Sequence, residues 1–123
     1  MPATVLIAED ELLIAMDVMD ELGAAGFVTI GPFAKTSQAL DYCRVHTPDC
    51  AVLDVRLQDG ESFPLADLLA ERKVPFVFHS GHAARSALNE RYPEMRVCPK
   101  PAPSSELAAV VAELCRRRAH ASA

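Results

Sequence analysis

The sequence predicts an α/β fold in which helices cover both faces of a parallel, doubly wound sheet. Short apolar runs alternate along the chain with helical stripes, as in folds built from repeated strand–helix units. The apolar runs are continuous, which is typical of strands that are buried on both faces. The 123 residues show no internal repeat and suit a single core. We therefore expect one domain over residues 1–123, with no output domain attached.

The first half of the chain predicts two strands and two helices. Thr4–Ala8 is the first strand, and Phe27–Ile30 is the second. Between them, residues 11–26 form a helix, because large apolar residues recur at spacings of three and four: Leu12, Met16, Met19 and Leu22. Thr36 or Ser37 is expected to cap a second helix, which ends before Pro48.

The second half continues the alternation with three more strands and three more helices. The strands are predicted at residues 50–54, 76–78 and 96–98. A helix starts near Pro64, a second covers residues 83–91, and Ser104 or Ser105 caps the last one.

Composition and charge limit the function classes. A net charge of −5 argues against general affinity for nucleic acid, whose phosphates would be repelled. The one basic run, residues 116–118, closes a helical pattern and suits the negative end of a helix dipole better than a ligand. No apolar stretch is long enough to span a membrane and no signal peptide is visible, so we expect a cytoplasmic protein that does not bind membranes. The four cysteines form no CxxC pair, and we expect them to be reduced thiols.

Polar side chains follow the predicted strands at the ends that face one crevice in such a sheet. Glu9, Asp10 and Glu11 follow the first strand, Asp54 the third, and Ser80 and Lys100 follow the fourth and fifth. Each has a plain alternative: the acids form the first turn of a helix, the serine ends a strand, and the lysine is solvated. The absence of a glycine-rich phosphate loop at the first tip excludes a flavin or dinucleotide site.

Taken together, these residues suit phosphoryl transfer to an aspartate. Several carboxylates stay ionised side by side only when a cation compensates them, and an oxygen-rich set without thiols suits Mg²⁺. Asp54 would be the nucleophile that accepts the phosphoryl group. Asp10 and Asp54 would hold the Mg²⁺, with Glu9 acting through water. Lys100 and Ser80 would neutralise and hydrogen-bond the phosphoryl oxygens.

The sequence resembles a bacterial response-regulator receiver domain over essentially its whole length. The residues that carry the resemblance are the segments 5–11, 52–54, 80–81 and 100–101. The resemblance implies a flavodoxin-like sheet of five strands in the order 2-1-3-4-5, flanked by five helices. It also implies the site roles: an acidic pair (Glu9, Asp10), a phosphoacceptor (Asp54), a hydroxyl switch (Ser80), a phosphate-sensing lysine (Lys100) and a metal-ligating backbone carbonyl (Arg56).

The resemblance further implies partners. A sensor histidine kinase or a phosphotransfer protein would donate the phosphoryl group, and the modified form would bind a downstream protein differently. The surface formed by the fourth helix, the fifth strand and the last helix would be the element that changes. A phosphorylation-dependent homodimer is a further arrangement that the sequence leaves open.

The sequence departs from the family pattern at three places. The usual Met-Pro after the phosphoacceptor is missing, so residues 56–60 predict a shortened loop. The aromatic switch expected three residues before Lys100 is Val97. Residues 75–82 instead resemble a stand-alone subgroup with a Phe-Ala-Thr-Gly-Tyr signature, in which the substitute aromatic maps to His82. Members of that subgroup tend to work with HWE-type histidine kinases. The alternative for His82 is an ordinary surface histidine with no switch role.

Two competing functions stay open at this point. An aspartate-nucleophile phosphatase would need a second aspartate two residues after its nucleophile, and neither Asp54 nor the first tip offers that pair. A receiver-like module that binds partners without taking phosphate would keep the same fold. We therefore expect a phosphoacceptor domain rather than a turnover enzyme.

Overall fold

The computed structural model describes residues 2–81, 85–92, 97–100 and 104–122. The strands are β1 (Thr4–Ala8), β2 (Val28–Phe33), β3 (Cys50–Leu53), β4 (Arg56–Leu57), β5 (Gly60–Glu61), β6 (Phe76–Ser80) and β7 (Val97–Pro99). The helices are α1 (Leu12–Ala24), α2 (Thr36–Cys43), α3 (Phe63–Glu71), α4 (Arg85–Arg91) and α5 (Ser104–Ser122).

The central sheet confirms the predicted fold class. Its strand order is β2-β1-β3-β6-β7, and every neighbouring pair is parallel. This is the expected order 2-1-3-4-5, because β4 and β5 form a separate antiparallel hairpin. The hairpin lies in the loop after Asp54, where the sequence analysis predicted only a shortened connection.

Two apolar layers cover the sheet, one on each face. Side chains of α2, α3 and α4 pack on one face against a cluster centred on Leu53 and Phe78. Side chains of α1 and α5 pack on the other face against Val52 and Val77. Because successive side chains of a strand point to opposite faces, each central strand contributes to both layers.

Helix α1 confirms part of its predicted apolar stripe, because Leu22 is buried and Met19 packs against the core, but not the part formed by Leu12 and Met16. Leu12 and Met16 are 61% and 51% exposed, whereas Ala15, Val18 and Leu22 face the core. The prediction followed the largest apolar residues, whereas the buried face also contains the smaller Ala15 and Val18.

Several element boundaries also differ from the prediction. Strand β2 continues to Phe33, β6 continues to Ser80 and β7 continues to Pro99, whereas the β7 start predicted at residue 96 lies outside the described residues. Helix α4 begins at Arg85 in the described part of the chain, so the start predicted at residue 83 lies outside the described residues.

A bulge between β1 and β2 depends on Gly31. The register shifts between the pairs Leu6–Ile30 and Ala8–Phe33. Gly31 has a φ of 122°, and a Cβ there would lie 2.6 Å from the carbonyl oxygen of Ile7. The shifted register lets the Phe33 carbonyl accept the amide of Glu9, at 2.9 Å, and this fixes the chain where β1 ends.

The cysteines agree with the expectation of free thiols. Cys43, Cys50 and Cys98 are buried and Cys115 is partly exposed, and none of these four described residues forms a disulfide. Among the described residues, no helix has both the length and the apolar character needed to cross a membrane.

Candidate phosphoacceptor site

The sheet brings the predicted site residues to one edge. Ala8 pairs with Leu53, and Leu53 pairs with Phe78, so the next residues (Glu9, Asp54 and His79) follow in line across three strands. Lys100 follows β7, and its amide donates to the carbonyl of Ser80 at 2.9 Å. The edge of the sheet therefore collects the tips of four strands, as the sequence predicts.

Lys100 is held inside the site rather than solvated. Its ammonium Nζ lies 2.7 Å from Glu9 Oε1 and 3.0 Å from Asp54 Oδ2, and only 13% of the side chain is exposed. Glu11 Oε1 lies further away, at 3.6 Å. Hydrogen bonds with Glu9 and Asp54 raise the pKa of Lys100 against the opposing effect of burial, the largest single influence. The lysine is therefore a resident cation beside the predicted phosphoacceptor.

The acidic residues gather around Asp54. Glu9, Asp10, Glu11 and Asp54 each offer a carboxylate oxygen, and these oxygens lie within 4.8 Å of one another. Helix α1 begins only at Leu12, and the side chain of Glu11 makes no capping hydrogen bond. The carboxylates are thus arranged toward Asp54 rather than as the first turn of a helix. An all-oxygen set of this size fits Mg²⁺, which takes one or two carboxylates and keeps several waters.

Glu9 is the most perturbed carboxyl group of the cluster. Burial, followed by a hydrogen bond with Asp54, raises the pKa of Glu9 to about 7 against the opposing effect of Lys100. Without a metal, the site therefore holds a proton near neutral pH, as expected where two carboxylates lie close together.

This pKa predicts a pH-dependent stability of the metal-free protein. A carboxyl group whose pKa is raised by folding stabilises the fold below its unfolded pKa, and the contribution is lost as pH rises through about 7. In the presence of a chelator, the free energy of unfolding should fall between about pH 4.5 and about pH 7, and Glu9→Gln should flatten that fall. His79 acts in the opposite direction, because burial lowers its pKa. Urea titrations of wild type, Glu9→Gln and the exposed control Glu71→Gln separate these effects. An unchanged slope in Glu9→Gln would contradict the assignment.

Ser80 and His79 are adjacent buried polar residues at the end of β6. The Ser80 hydroxyl donates to the carbonyl of Gly81 at 3.2 Å, and the residue is only 3% exposed. The Nε2 atom of His79 is buried without a hydrogen-bond partner among the described residues. Burial, and to a smaller extent the charge of Lys100, lower the pKa of His79, whereas the charge of Asp54 raises it. Ser80 thus lies at the predicted edge of the sheet, and His79 is buried next to it at the end of β6.

Ser62 supports the backbone of Asp54, a role that the sequence pattern does not predict. Ser62 is fully buried, its hydroxyl donates to the Asp54 carbonyl at 2.6 Å, and its amide donates to the Val55 carbonyl at 2.8 Å. Ser62 is the N-cap residue of α3, yet its hydroxyl makes no capping bond. A serine just before Phe63-Pro64 predicts the start of a helix, but it does not predict a hydrogen bond with the backbone of Asp54.

Removing this hydroxyl should destabilise the domain. Ser62→Ala leaves the buried carbonyl of Asp54 without its donor, which we expect to cost about 1–2 kcal/mol in the free energy of unfolding. The exposed Ser105→Ala should change that free energy by less than about 0.5 kcal/mol. Urea denaturation measures both, and equal effects would show that the Ser62 hydroxyl contributes nothing specific.

Asp59 links the loop after Asp54 to helix α2. Its carboxylate accepts the amides of Thr36 at 2.7 Å and Ser37 at 3.0 Å. These bonds, the Ser37 amide first, hold the pKa of Asp59 below its usual value. The prediction that Thr36 or Ser37 caps α2 is therefore wrong, because Lys35 is the N-cap residue and the capping carboxylate comes from the loop. The Asp-Gly dipeptide at 59–60 is a hairpin-turn signal that could have predicted the turn.

The remaining predicted residues are placed only in part. Arg56 is exposed in β4, two residues after Asp54, and its carbonyl stays a predicted metal ligand. Val97 is partly buried against the core layer that contains Phe78. His82 lies outside the described residues, so its role as a substitute switch stays a prediction.

Comparison with known families decides what kind of domain this site belongs to. The family model of the response regulator receiver domain matches residues 5–112. The chain belongs to that family. It is thus a receiver domain of two-component signalling, and its fold agrees with that of solved receiver domains.

Individual relatives support this membership. The receiver domain superposes on the solution structure of SdrG from Sphingomonas melonis Fr1 with a TM-score of 0.80, at 35% identity over 92% of this chain and 96% of SdrG. It is 29% identical to the phyllosphere-induced regulator PhyR of Methylorubrum extorquens, over 98% of this chain and 49% of PhyR. It is 32% identical to the transcriptional regulatory protein PdtaR of Mycobacterium tuberculosis, over 59% of this chain and 36% of PdtaR. The receiver domain therefore spans about half or less of the curated relatives that it matches.

Proposed function

We propose that this receiver domain accepts a phosphoryl group on Asp54 and thereby changes its affinity for a protein partner. The observation that carries the proposal is the direct contact of Lys100 with Asp54, at 3.0 Å, inside a cluster of four carboxylates. Family membership supports it, because receiver domains serve two-component signalling.

The chemistry is a displacement at phosphorus. A carboxylate oxygen of Asp54 attacks the phosphorus of a phosphohistidine, the P–N bond breaks, and the imidazole of the donor leaves with the bonding electrons. Lys100 stabilises the charge that builds up on the transferred oxygens, and the Ser80 hydroxyl, which donates to the Gly81 carbonyl in the structure, would instead donate to one of these oxygens. Glu9 and Asp10, together with Asp54 and the Arg56 carbonyl, would hold Mg²⁺. When bound, Mg²⁺ supplies charge neutralisation to the phosphoryl oxygens.

The proposed donor is a sensor histidine kinase, which could be of the HWE type, or a phosphotransfer protein. The proposed acceptor of the signal is a downstream protein. Similarity to PhyR over about half of that protein supports a partner-binding role for the domain. We also propose that the domain undergoes stoichiometric modification rather than turnover of a substrate, and that it acts in the cytoplasm.

Intact-mass measurement after treatment with acetyl phosphate and Mg²⁺ tests the proposal. We expect one phosphoryl adduct on wild type and none on Asp54→Asn. Asp41→Asn is the matched control, because Asp41 is an exposed carboxylate on α2 that pairs only with Arg44 in the described structure. An adduct that persists in Asp54→Asn would disprove the Asp54 assignment. No adduct on wild type would instead favour a module that binds partners without phosphate.

A further inference from the structure

Two cysteines that are far apart in sequence lie near each other at the end of the sheet where β3 begins, away from Asp54, which follows the other end of β3. Cys50 is the first residue of β3 and is fully buried. Cys115 lies on α5 and packs against the same core layer as Cys50. The two thiols are neighbours that interact with each other, and the Cys50 thiol donates to the carbonyl oxygen of Ala51, 3.9 Å from its sulfur.

Helix geometry supports this placement. Cys115 follows the fully buried Val111 by four residues, so both side chains lie on the face of α5 that meets the sheet. One turn later, the guanidinium of Arg118 donates to the carbonyl of Pro48 at 2.6 Å. Pro48 precedes Cys50 by two residues, so this bond holds the end of α5 over the start of β3.

The two thiols differ in accessibility and in acidity. Cys115 is partly exposed, whereas Cys50 is not. The neighbouring Cys50 thiol, and to a smaller extent the guanidinium of Arg118, lower the pKa of Cys115, while burial and Asp49 oppose them. The hydrogen bond to Cys115 and burial raise the pKa of Cys50. Peroxides react with thiolates that solvent can reach, and Cys115 meets that requirement.

We propose that Cys115 and Cys50 form an oxidisable pair in which Cys115 reacts with hydrogen peroxide and Cys50 then closes a disulfide. The Cys115 thiolate attacks the peroxide, the O–O bond breaks, and the leaving hydroxide takes up a proton to give water. The resulting sulfenic acid is attacked by the sulfur of Cys50. The S–O bond breaks, and the departing hydroxide leaves as water with the proton of Cys50. The two thiols lose two electrons in total, and one peroxide is reduced to two waters.

The other two cysteines are not placed for this reaction. Cys43 is buried in the layer on the opposite face of the sheet. Cys98 lies in β7 opposite His79, near the end where β6 finishes, whereas Cys50 lies where β3 begins. The crosslink would therefore join the strand that leads to Asp54 with the last helix of the domain. This inference does not depend on phosphorylation of Asp54.

Peroxide treatment of the full chain, followed by intact-mass measurement and peptide mapping, tests the proposal. We expect the wild type to lose two hydrogen atoms, with one crosslink between the peptides of Cys50 and Cys115, and dithiothreitol should reverse the change. The crosslink should lower the equilibrium constant of unfolding on the order of 10²-fold. The double variant Cys43→Ala/Cys98→Ala keeps the pair and should give the same crosslink.

Single variants assign the order of events. Cys50→Ser should stop at a Cys115 sulfenic acid that dimedone traps, and Cys115→Ser should not react under the same conditions. Even if Cys50→Ser does not fold, peptide mapping of the wild type shows whether the crosslink joins Cys50 and Cys115. Added oxygen on Cys115 without a crosslink, a crosslink through Cys43 or Cys98, or no reaction at all would each overturn the proposal.

Discussion

Replacing Lys100 by methionine should lower the rate of phosphorylation by acetyl phosphate by about 10²–10³-fold. The ammonium group lies 2.7 Å from Glu9 and 3.0 Å from Asp54, whose carboxylate would attack phosphorus. Methionine keeps most of the volume and removes the charge, so the transferred oxygens lose their neutralising partner. Rates of adduct formation, measured by intact mass at saturating Mg²⁺, give the effect.

The same substitution should strengthen Mg²⁺ binding, by at least about tenfold. Lys100 neutralises Glu9 and Asp54 in the metal-free structure, so the ammonium competes electrostatically with a divalent cation for the same carboxylates. Titration calorimetry measures the affinity, and Lys35→Met, on an exposed lysine before α2, is the matched control. If Lys100→Met lost phosphorylation and Mg²⁺ affinity together while staying folded, the lysine would be part of the metal site and not its competitor.

Gly31→Ala should destabilise the domain by about 3 kcal/mol. The substitution combines two costs: a φ of 122°, which non-glycine residues rarely adopt, and a Cβ that would lie 2.6 Å from the backbone oxygen of Ile7. The Cβ would also lie 3.0 Å from the backbone nitrogen of Phe33. Both of these close atoms belong to the backbone, so neither can move away as the end of a flexible side chain could. Since the bulge also fixes Glu9 through the Phe33 carbonyl, weaker Mg²⁺ binding should accompany the loss of stability.

Two other glycines separate these costs. Gly26 has a φ of 97° and open space around its Cβ position, so Gly26→Ala reports the backbone cost alone. Gly23 lies within α1 with open space, so Gly23→Ala should stabilise by about 0.5–1 kcal/mol through helix propensity. Urea denaturation should rank the variants with Gly31→Ala lowest and Gly23→Ala highest. Equal destabilisation by Gly26→Ala and Gly31→Ala would show that the steric contact with Ile7 has no effect.

The architecture and the main site residues follow from sequence because parallel sheets impose them. Once the apolar runs are assigned to strands, Glu9, Asp54 and Lys100 must meet at the edge where those strands end. The buried face of α1 does not follow in the same way. Helical spacing allows more than one face that contains Leu22, and the face that is buried adds Ala15 and Val18 in place of Leu12 and Met16.

Contacts between loops and backbone are also hard to predict. Ser62 and Asp59 form hydrogen bonds with backbone groups of Asp54, Thr36 and Ser37, and such bonds depend on the path of the loop rather than on residue pattern. An N-cap serine before α3 and a turn aspartate are common in any sequence. Only the folded hairpin of β4 and β5 turns them toward the site and toward α2.

Because the carboxylate of Asp59 accepts hydrogen bonds from two amides of α2, those amides can report on changes in the loop after Asp54. Amide protons of Thr36 and Ser37 belong to α2, but their chemical shifts depend on a carboxylate five residues after Asp54. A displacement of that loop on modification of Asp54 should therefore move two resonances of a helix that does not contribute to the acidic cluster. Two-dimensional NMR of uniformly labelled protein could follow the state of the site through these two signals, without a probe attached to it.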